Sequence, residues 1–194
     1  MELPIVDFSA FVNASVGEDG TPTLAQQKVA RAIDQACRIH GFVCLRNTGI
    51  AKSLVEETFQ ASKELFDMTD EEKSKLKPLD PTTNTGYNGY RSEALNPRRS
   101  ADLKEVFNIR NPSDATQSQV RSTNFAGTPP NLQSTALTFW DEVMLLSHRF
   151  SQCCAMALGL DIDYFTKTMV QKDLCTLRLR RPPRLATLHL KWLG

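Results

Sequence analysis

Apolar positions recur along the chain in two rhythms, one near 2 residues and one near 3.6, and their succession lays out the elements. Leu3 to Phe8 (LPIVDF) is a β-branched run with Pro4 near its start, which predicts a short strand. Residues 11–22 are rich in Gly, Asp and Ser and read as a loop. From Thr23 the spacing turns helical, with Ala25, Val29, Ala32, Ile33, Ala36 and Cys37 on one stripe. Thr23 and Gln26 have the form of a capping box, in which each side chain serves the other residue's free amide. Gly41 ends this helix because glycine takes the left-handed cap at little cost, and Arg38 and His40 suit its negative end. Phe42 to Leu45 reads as a buried strand, followed by an Asn47-Thr48-Gly49 turn. A second helix is predicted from about Ala51 to Phe66, with Leu54, Val55, Phe59, Ser62, Leu65 and Phe66 inward. Thr69 and Glu72 form a second capping box, opening a short charged helix to about Leu76.

Residues 78–99 break the rhythm. Pro, Thr, Asn and Gly dominate, with Tyr87 and Tyr90 among them, and long connections of this kind are commonly functional. Glu105 to Arg110 (EVFNIR) alternates as a strand does, and 111–130 is a further loop. A long helix is predicted from about Asn131 to Leu158, ending at Gly159, with Leu137, Trp140, Met144, Ser147, Cys154 and Leu158 inward. Asp161 to Lys167 reads as one more helical turn and Asp173 to Leu179 as a strand. The order of elements places the chain in the mixed α/β (α+β) class. Three stretches follow: 1–110, 111–179 with the long helix and last strand, and an atypical basic tail at 180–194.

That tail shows as a step in charge. From Leu174 onward there are five basic residues, Arg178, Arg180, Arg181, Arg184 and Lys191, and no acidic one. Taking these five from the 23 basic residues leaves 18 against 22 acidic ones over 1–173, so a net of −4 precedes a cationic end. Five cations over this length, with Trp192 the lone ring for stacking, argue against nucleic acid as a partner. No apolar run approaches the length of a bilayer span, and the start carries no basic-then-apolar leader. Five cysteines, an odd number, argue for reduced thiols and a cytoplasmic location. Cys37 and Cys44 fall on apolar faces and are expected to be buried. Cys153 and Cys154 diverge by about 100° around a helix, which argues against a shared metal.

The search for catalytic chemistry finds no constellation. There are three histidines, His40, His148 and His189, and none stands in a His-x-Asp or His-x-Glu pair. His40 reads as a helix-end residue and His148 as a surface or hydrogen-bonded core residue. No Gly-x-Ser-x-Gly or phosphate loop occurs, and Asp70-Glu71-Glu72 reads as a solvated helix start.

An ordered series of short patterns is more telling. It comprises Leu3-Pro4-Ile5-Val6-Asp7-Phe8; Ala36-Cys37 with Gly41-Phe42 and Asn47-Thr48-Gly49-Ile50; Leu65-Phe66 with Glu71-Glu72-Lys73; Gly86-Tyr87 with Asp102-Leu103-Lys104-Glu105-Val106-Phe107; Ala157-Leu158-Gly159-Leu160; and Leu177-Arg178-Leu179. In order and content it resembles the N-terminal non-haem dioxygenase region of the isopenicillin N synthase-like oxygenases, with Thr48 in place of that family's usual histidine. The resemblance implies the helix-and-strand part of a double-stranded β-helix (jelly-roll) enzyme, its core barrel incomplete here. It implies Fe(II) and 2-oxoglutarate as the family's cofactors and a small organic molecule as substrate.

In that family the iron is held by His-x-Asp and a distant His on later strands, and 2-oxoglutarate by an Arg-x-Ser pair; all of these residues are expected to be absent from this chain. No catalytic or metal residue is therefore assigned, and neither cofactor is expected to bind this chain. Tyr90, Arg91 and Arg178 follow motif positions and are the candidates for lining the substrate side. After Leu179 the pattern breaks: Arg180-Arg181-Pro182-Pro183 comes one residue early and lacks the family's tyrosine. This predicts that residues from about 180 derive from a shifted frame, a retained intron or alternative splicing. The expectation is an inactive N-terminal part of an oxidoreductase; the alternative is a non-catalytic binding or regulatory fragment acting through protein contacts. Strands without their core partners further predict open edges and self-association.

Overall fold

The computed structural model describes residues 3–13, 21–77, 85–90, 92, 104–110, 123–169 and 175–182. The chain divides into two compact units, the first comprising 1–58 and 135–172 and the second 59–134 and 173–194.

In the first unit, β1 (Ile5–Asp7) pairs in parallel with β2 (Cys44–Arg46), Val6 lying opposite Leu45. Parallel neighbours need a crossover, supplied by α1 (Ser9–Val12) and α2 (Leu24–His40). The α2 capping box is complete: Gln26 N donates to Thr23 Oγ1 at 3.2 Å and Thr23 N donates to Gln26 Oε1 at 2.9 Å. Gly41 closes the helix at φ 71°, a value that would strain a residue with a side chain. Val6, Phe8, Phe11, Ala30, Ile33 and Cys153 form the core, with Val29, Val43, Leu45 and Phe150 against it. Phe8 and Phe11 stack at 5.0 Å between ring centres. Cys153 lies on α5 (Leu132–Ala157), which Gly159 follows at a left-handed φ of 70°.

The second unit holds a three-stranded antiparallel sheet in the order β3-β4-β5, with β3 at Gly86–Asn88, β4 at Glu105–Arg110 and β5 at Thr176–Arg181. β4 is central, and Val106, Phe107 and Ile109 are buried, as are Leu65 and Phe66 near the end of α3 (Lys52–Asp67). After α3 comes α4 (Asp70–Ser74), whose capping box joins Glu72 N to Thr69 Oγ1 at 3.3 Å and Thr69 N to Glu72 Oε2 at 2.9 Å. A 3-10 turn at Thr166–Thr168, in the first unit, stands where a further helical turn is expected.

The element order follows the sequence pattern, while several faces differ. The stripe of α2 is rotated: Gln26, Ala30, Ile33 and Ala36 are buried, whereas Cys37 is exposed. Cys44 is exposed too, and Phe42 is 71% exposed, so the β2 region is a surface strand rather than a buried one. In α3 Thr58 and Ala61 face inward and Phe59 is 74% exposed. Leu158 is likewise exposed. Residues 9–12, expected in or beside a loop, form α1, which buries Phe11. β4 alternates in sequence but is buried from Glu105 through Ile109, so both of its faces are covered. β5 continues to Arg181, with Arg180 opposite Val106 and Arg181 opposite Glu105. No helix among the described residues is long and apolar enough to cross a membrane. Most of the 78–99 and 111–130 loops and of the 180–194 tail lies outside the described residues.

Candidate functional site

Two groups of sequence motifs meet through hydrogen bonds, one group in each unit. In the first unit Asp7, at the end of β1, accepts from Ser9 N at 3.0 Å and from Asn47 Nδ2 at 2.8 Å, with Arg46 at 3.6 Å. The Ser9 bonds, then that of Asn47, hold its carboxyl below the usual aspartate range. Asn47 sits at φ 56°, a left-handed position that asparagine tolerates. The opening motif and the Asn47-Thr48-Gly49 turn are thus tied together by one carboxylate.

In the second unit the centre is Glu105, the first residue of β4 and 1% exposed. Lys73 on α4, 4% exposed, donates to its Oε1 at 2.6 Å, and Tyr87 Oη on β3 donates to the same oxygen at 2.6 Å. Its Oε2 faces Arg181 Nε of β5 at 4.0 Å, and Arg181 Nη1 reaches Asp67 at 2.9 Å. Lys73 also meets Asp70 at 3.1 Å and lies 5.7 Å from the centre of the Tyr87 ring. Burial alone would neutralise both ions. For Glu105 the bonds from Lys73 and Tyr87 outweigh burial and hold its carboxyl below the ordinary value of 4.5. For Lys73 burial is likewise outweighed, by Glu105 and Asp70, and the ammonium stays above its ordinary value. Burial, with the bond to Glu105, pushes the Tyr87 phenol well up, so it remains a proton donor. A carboxylate committed in this way is no free base; the cluster locks α4 to all three strands.

Beside this cluster lies a cleft of about 490 Å³, lined by Asp70, Ser74, Lys77, Tyr87, Asn88, Gly89, Tyr90 and Ser92. Tyr90, the first substrate-side candidate, is one of its walls, 44% exposed, and burial, then the nearby Glu105, push its phenol above the ordinary value. Arg91 lies outside the described residues. Arg178 is exposed on β5, in register with Asn108, and is not among the described residues lining the cleft. Sequence reasoning missed Lys73, Tyr87, Glu105 and Arg181 as a set. The available signal was that Lys73, Tyr87 and Glu105 each sat inside a matched motif whose other members are packing residues.

Among the described residues the donor set does not fit a ferrous triad. His40 ends α2, His148 is exposed on α5, and His189 lies outside the described residues. Among the described residues no group of three His, Cys, Asp or Glu is placed to hold a metal. Burial pushes the Cys153 thiol up to about 12, far from a thiolate ligand. Contrary to the expectation that it is missing, the spacing Arg-x-Ser occurs twice: as Arg98-Arg99-Ser100, outside the described residues, and as Arg149-Phe150-Ser151 on α5. Residues two apart diverge by about 200° on a helix, whereas on a strand they share a face, so Arg149 and Ser151 cannot grip one carboxylate together.

Comparison with known proteins bears on the same residues. Residues 3–131 match the family model described as non-haem dioxygenase in morphine synthesis, N-terminal. A homoarginine-6-hydroxylase from Oryza sativa subsp. japonica is 26% identical over 188 residues, covering 91% of this chain and 55% of that protein. A 2-oxoglutarate-Fe(II) type oxidoreductase from Metarhizium rileyi is 21% identical over 205 residues, covering 97% of this chain and 53% of that protein. The chain spans about half the length of the curated relatives it matches. Among solved structures, a 2OG-Fe(II) oxygenase family protein from Caulobacter crescentus superposes with a TM-score of 0.73 at 18% identity, over 96% of this chain and 58% of that one. At that identity the likeness speaks for the fold, that of the jelly-roll oxygenases, of which the described residues form a mixed helix-and-strand part without a closed barrel.

Proposed function

The chain belongs to the non-haem dioxygenase N-terminal family, whose relatives are 2-oxoglutarate- and iron-dependent oxygenases, and from that premise we propose that it is the bracing half of such an enzyme and is inert by itself. The observation that carries this reading is the use made of the family motifs. Asp7 with Asn47, and Lys73 with Tyr87 and Glu105, are committed to holding strands and helices together. None is left free to bind metal or co-substrate. His40 and His148, neither in a metal-holding group, and Arg149 and Ser151 on a helix support it from the side of the missing chemistry. The reaction served is an oxidation of a small organic molecule, with Fe(II) and 2-oxoglutarate held by residues other than these. Tyr90, Arg91 and Arg178 are the residues through which this half would border the substrate, Tyr90 from the turn after β3 and Arg178 from β5.

The test uses the full 194-residue chain with Fe(II), 2-oxoglutarate and oxygen. We expect no succinate above a metal-free control and no stoichiometric uptake of iron by calorimetry. Succinate formation, or iron bound one to one, would refute the reading.

A further inference from the structure

We propose that the cleft between α4 and the β3 turn binds a small zwitterion of the amino-acid class. At about 490 Å³ it lies within the range of small-molecule sites, roughly 300–1,000 Å³. Its wall is fixed, because Lys73, Glu105 and Tyr87 are bonded to one another and pin α4 to β3. That wall is also electrically balanced, one ammonium against one carboxylate, so it selects for neither sign.

The lining does select. The Asp70 side chain is 97% exposed and keeps free lone pairs beyond its contact with Lys73. Ser74 Oγ donates to Glu71 O at 2.7 Å and Ser92 Oγ donates to Gly89 O at 2.6 Å. Both hydroxyl protons are thereby engaged, so the two side chains offer only acceptors to the cleft. These three residues suit an ammonium. Lys77 lines the same cleft as a cation with no ion-pair partner among the described residues. Asn88 Nδ2 is buried without a hydrogen-bond partner, a donor that an incoming acceptor would satisfy. These two suit a carboxylate. Tyr87 and Tyr90 supply ring surface for the body of the ligand. A Cβ at Gly89 would stand 3.3 Å from the Tyr87 hydroxyl, so glycine there keeps the wall open. A simple anion would leave Asp70 facing it, and a simple cation would leave Lys77 and the Asn88 amide unused; a molecule with both ends satisfies all of them.

The inference shares Tyr90 with the proposed substrate border but depends on neither iron nor 2-oxoglutarate and is tested without them, so its failure and that of the oxygenase reading are told apart. The full chain is titrated with each proteinogenic L-amino acid at up to about 10 mM, read by thermal shift and by saturation-transfer NMR. At least one should raise the melting midpoint, and its methyl ester and its N-acetyl derivative should each bind about tenfold more weakly or worse. Asp70→Asn and Lys77→Gln should each weaken binding about tenfold, and Lys77→Gln should leave the unliganded melt unchanged. Lys77 is exposed and lies outside any helix, so its variant remains informative if the Asp70 variant perturbs α4. The proposal is overturned if no amino acid binds, if the ester or the acetyl derivative binds as well as the parent, or if Lys77→Gln binds with wild-type affinity.

Discussion

Lys73 shows what a single side chain decides here. It sits in a Glu-Glu-Lys run that reads as solvated surface, yet it is buried against Glu105. Replacing it with Met leaves a carboxylate in the interior without its partner, and we expect a loss of about 3–5 kcal/mol in denaturant unfolding. The triple variant Lys73→Met/Glu105→Leu/Tyr87→Phe should recover most of that loss, because it also removes the phenol that donates to Glu105 and leaves apolar groups of similar size that need no solvation; a loss in the triple equal to or above that of the single would remove this account. The pH dependence has two limbs. Glu105 is lowered on folding, so its contribution is present above the ordinary value of 4.5 and is lost as pH falls through its folded-state value. Lys73 is raised, so its contribution is present below 10.5 and fades as pH climbs through its folded-state value. A Glu105→Gln variant should flatten the acid limb of a plot of stability against pH. None of this could be read from the sequence, because burial of Lys73 follows from partners 14 and 32 positions away, Tyr87 and Glu105.

The helices separate what local sequence decides from what packing decides. Both capping boxes, at Thr23 and Thr69, were legible, because a cap is a contact across three residues. Thr23→Ala should lower stability by about 1 kcal/mol, measured by chemical denaturation, and Thr23→Ser should restore it. Which side of each helix turns inward was less legible. Counting apolar side chains favoured Phe59 and Cys37, whereas the buried side uses Thr58, Ala61 and Ala30, small residues that let a neighbour approach closely. The contrast gives a paired test: Phe59→Ser should change stability by less than about 0.5 kcal/mol, while Leu65→Ala, fully buried, should cost about 2–5 kcal/mol. Equal effects would mean that the faces are assigned wrongly.

At the level of the whole chain the class of fold and the order of its elements were readable, since they follow from periodicity. The sheet was not. β3, β4 and β5 are separated by long connections, and nothing in Gly86–Asn88 or Thr176–Arg181 announces which strand lies in the middle. Because β4 alone has a neighbour on each side among the described residues, its amides should be the slowest of the sheet in hydrogen exchange. Faster exchange in Phe107 and Ile109 than in Leu177 and Leu179 would contradict the observed order.

The pairing of β5 carries one more consequence. Leu177 and Leu179 stand across from Ile109 and Phe107, while Arg178 and Arg180 fall on the alternate side. Strand parity is binary, so one residue gained or lost inside β5, between Leu177 and Arg178, would set guanidinium groups where leucines stand along the rest of the ribbon. A length change within the strand therefore keeps the pattern only in steps of two.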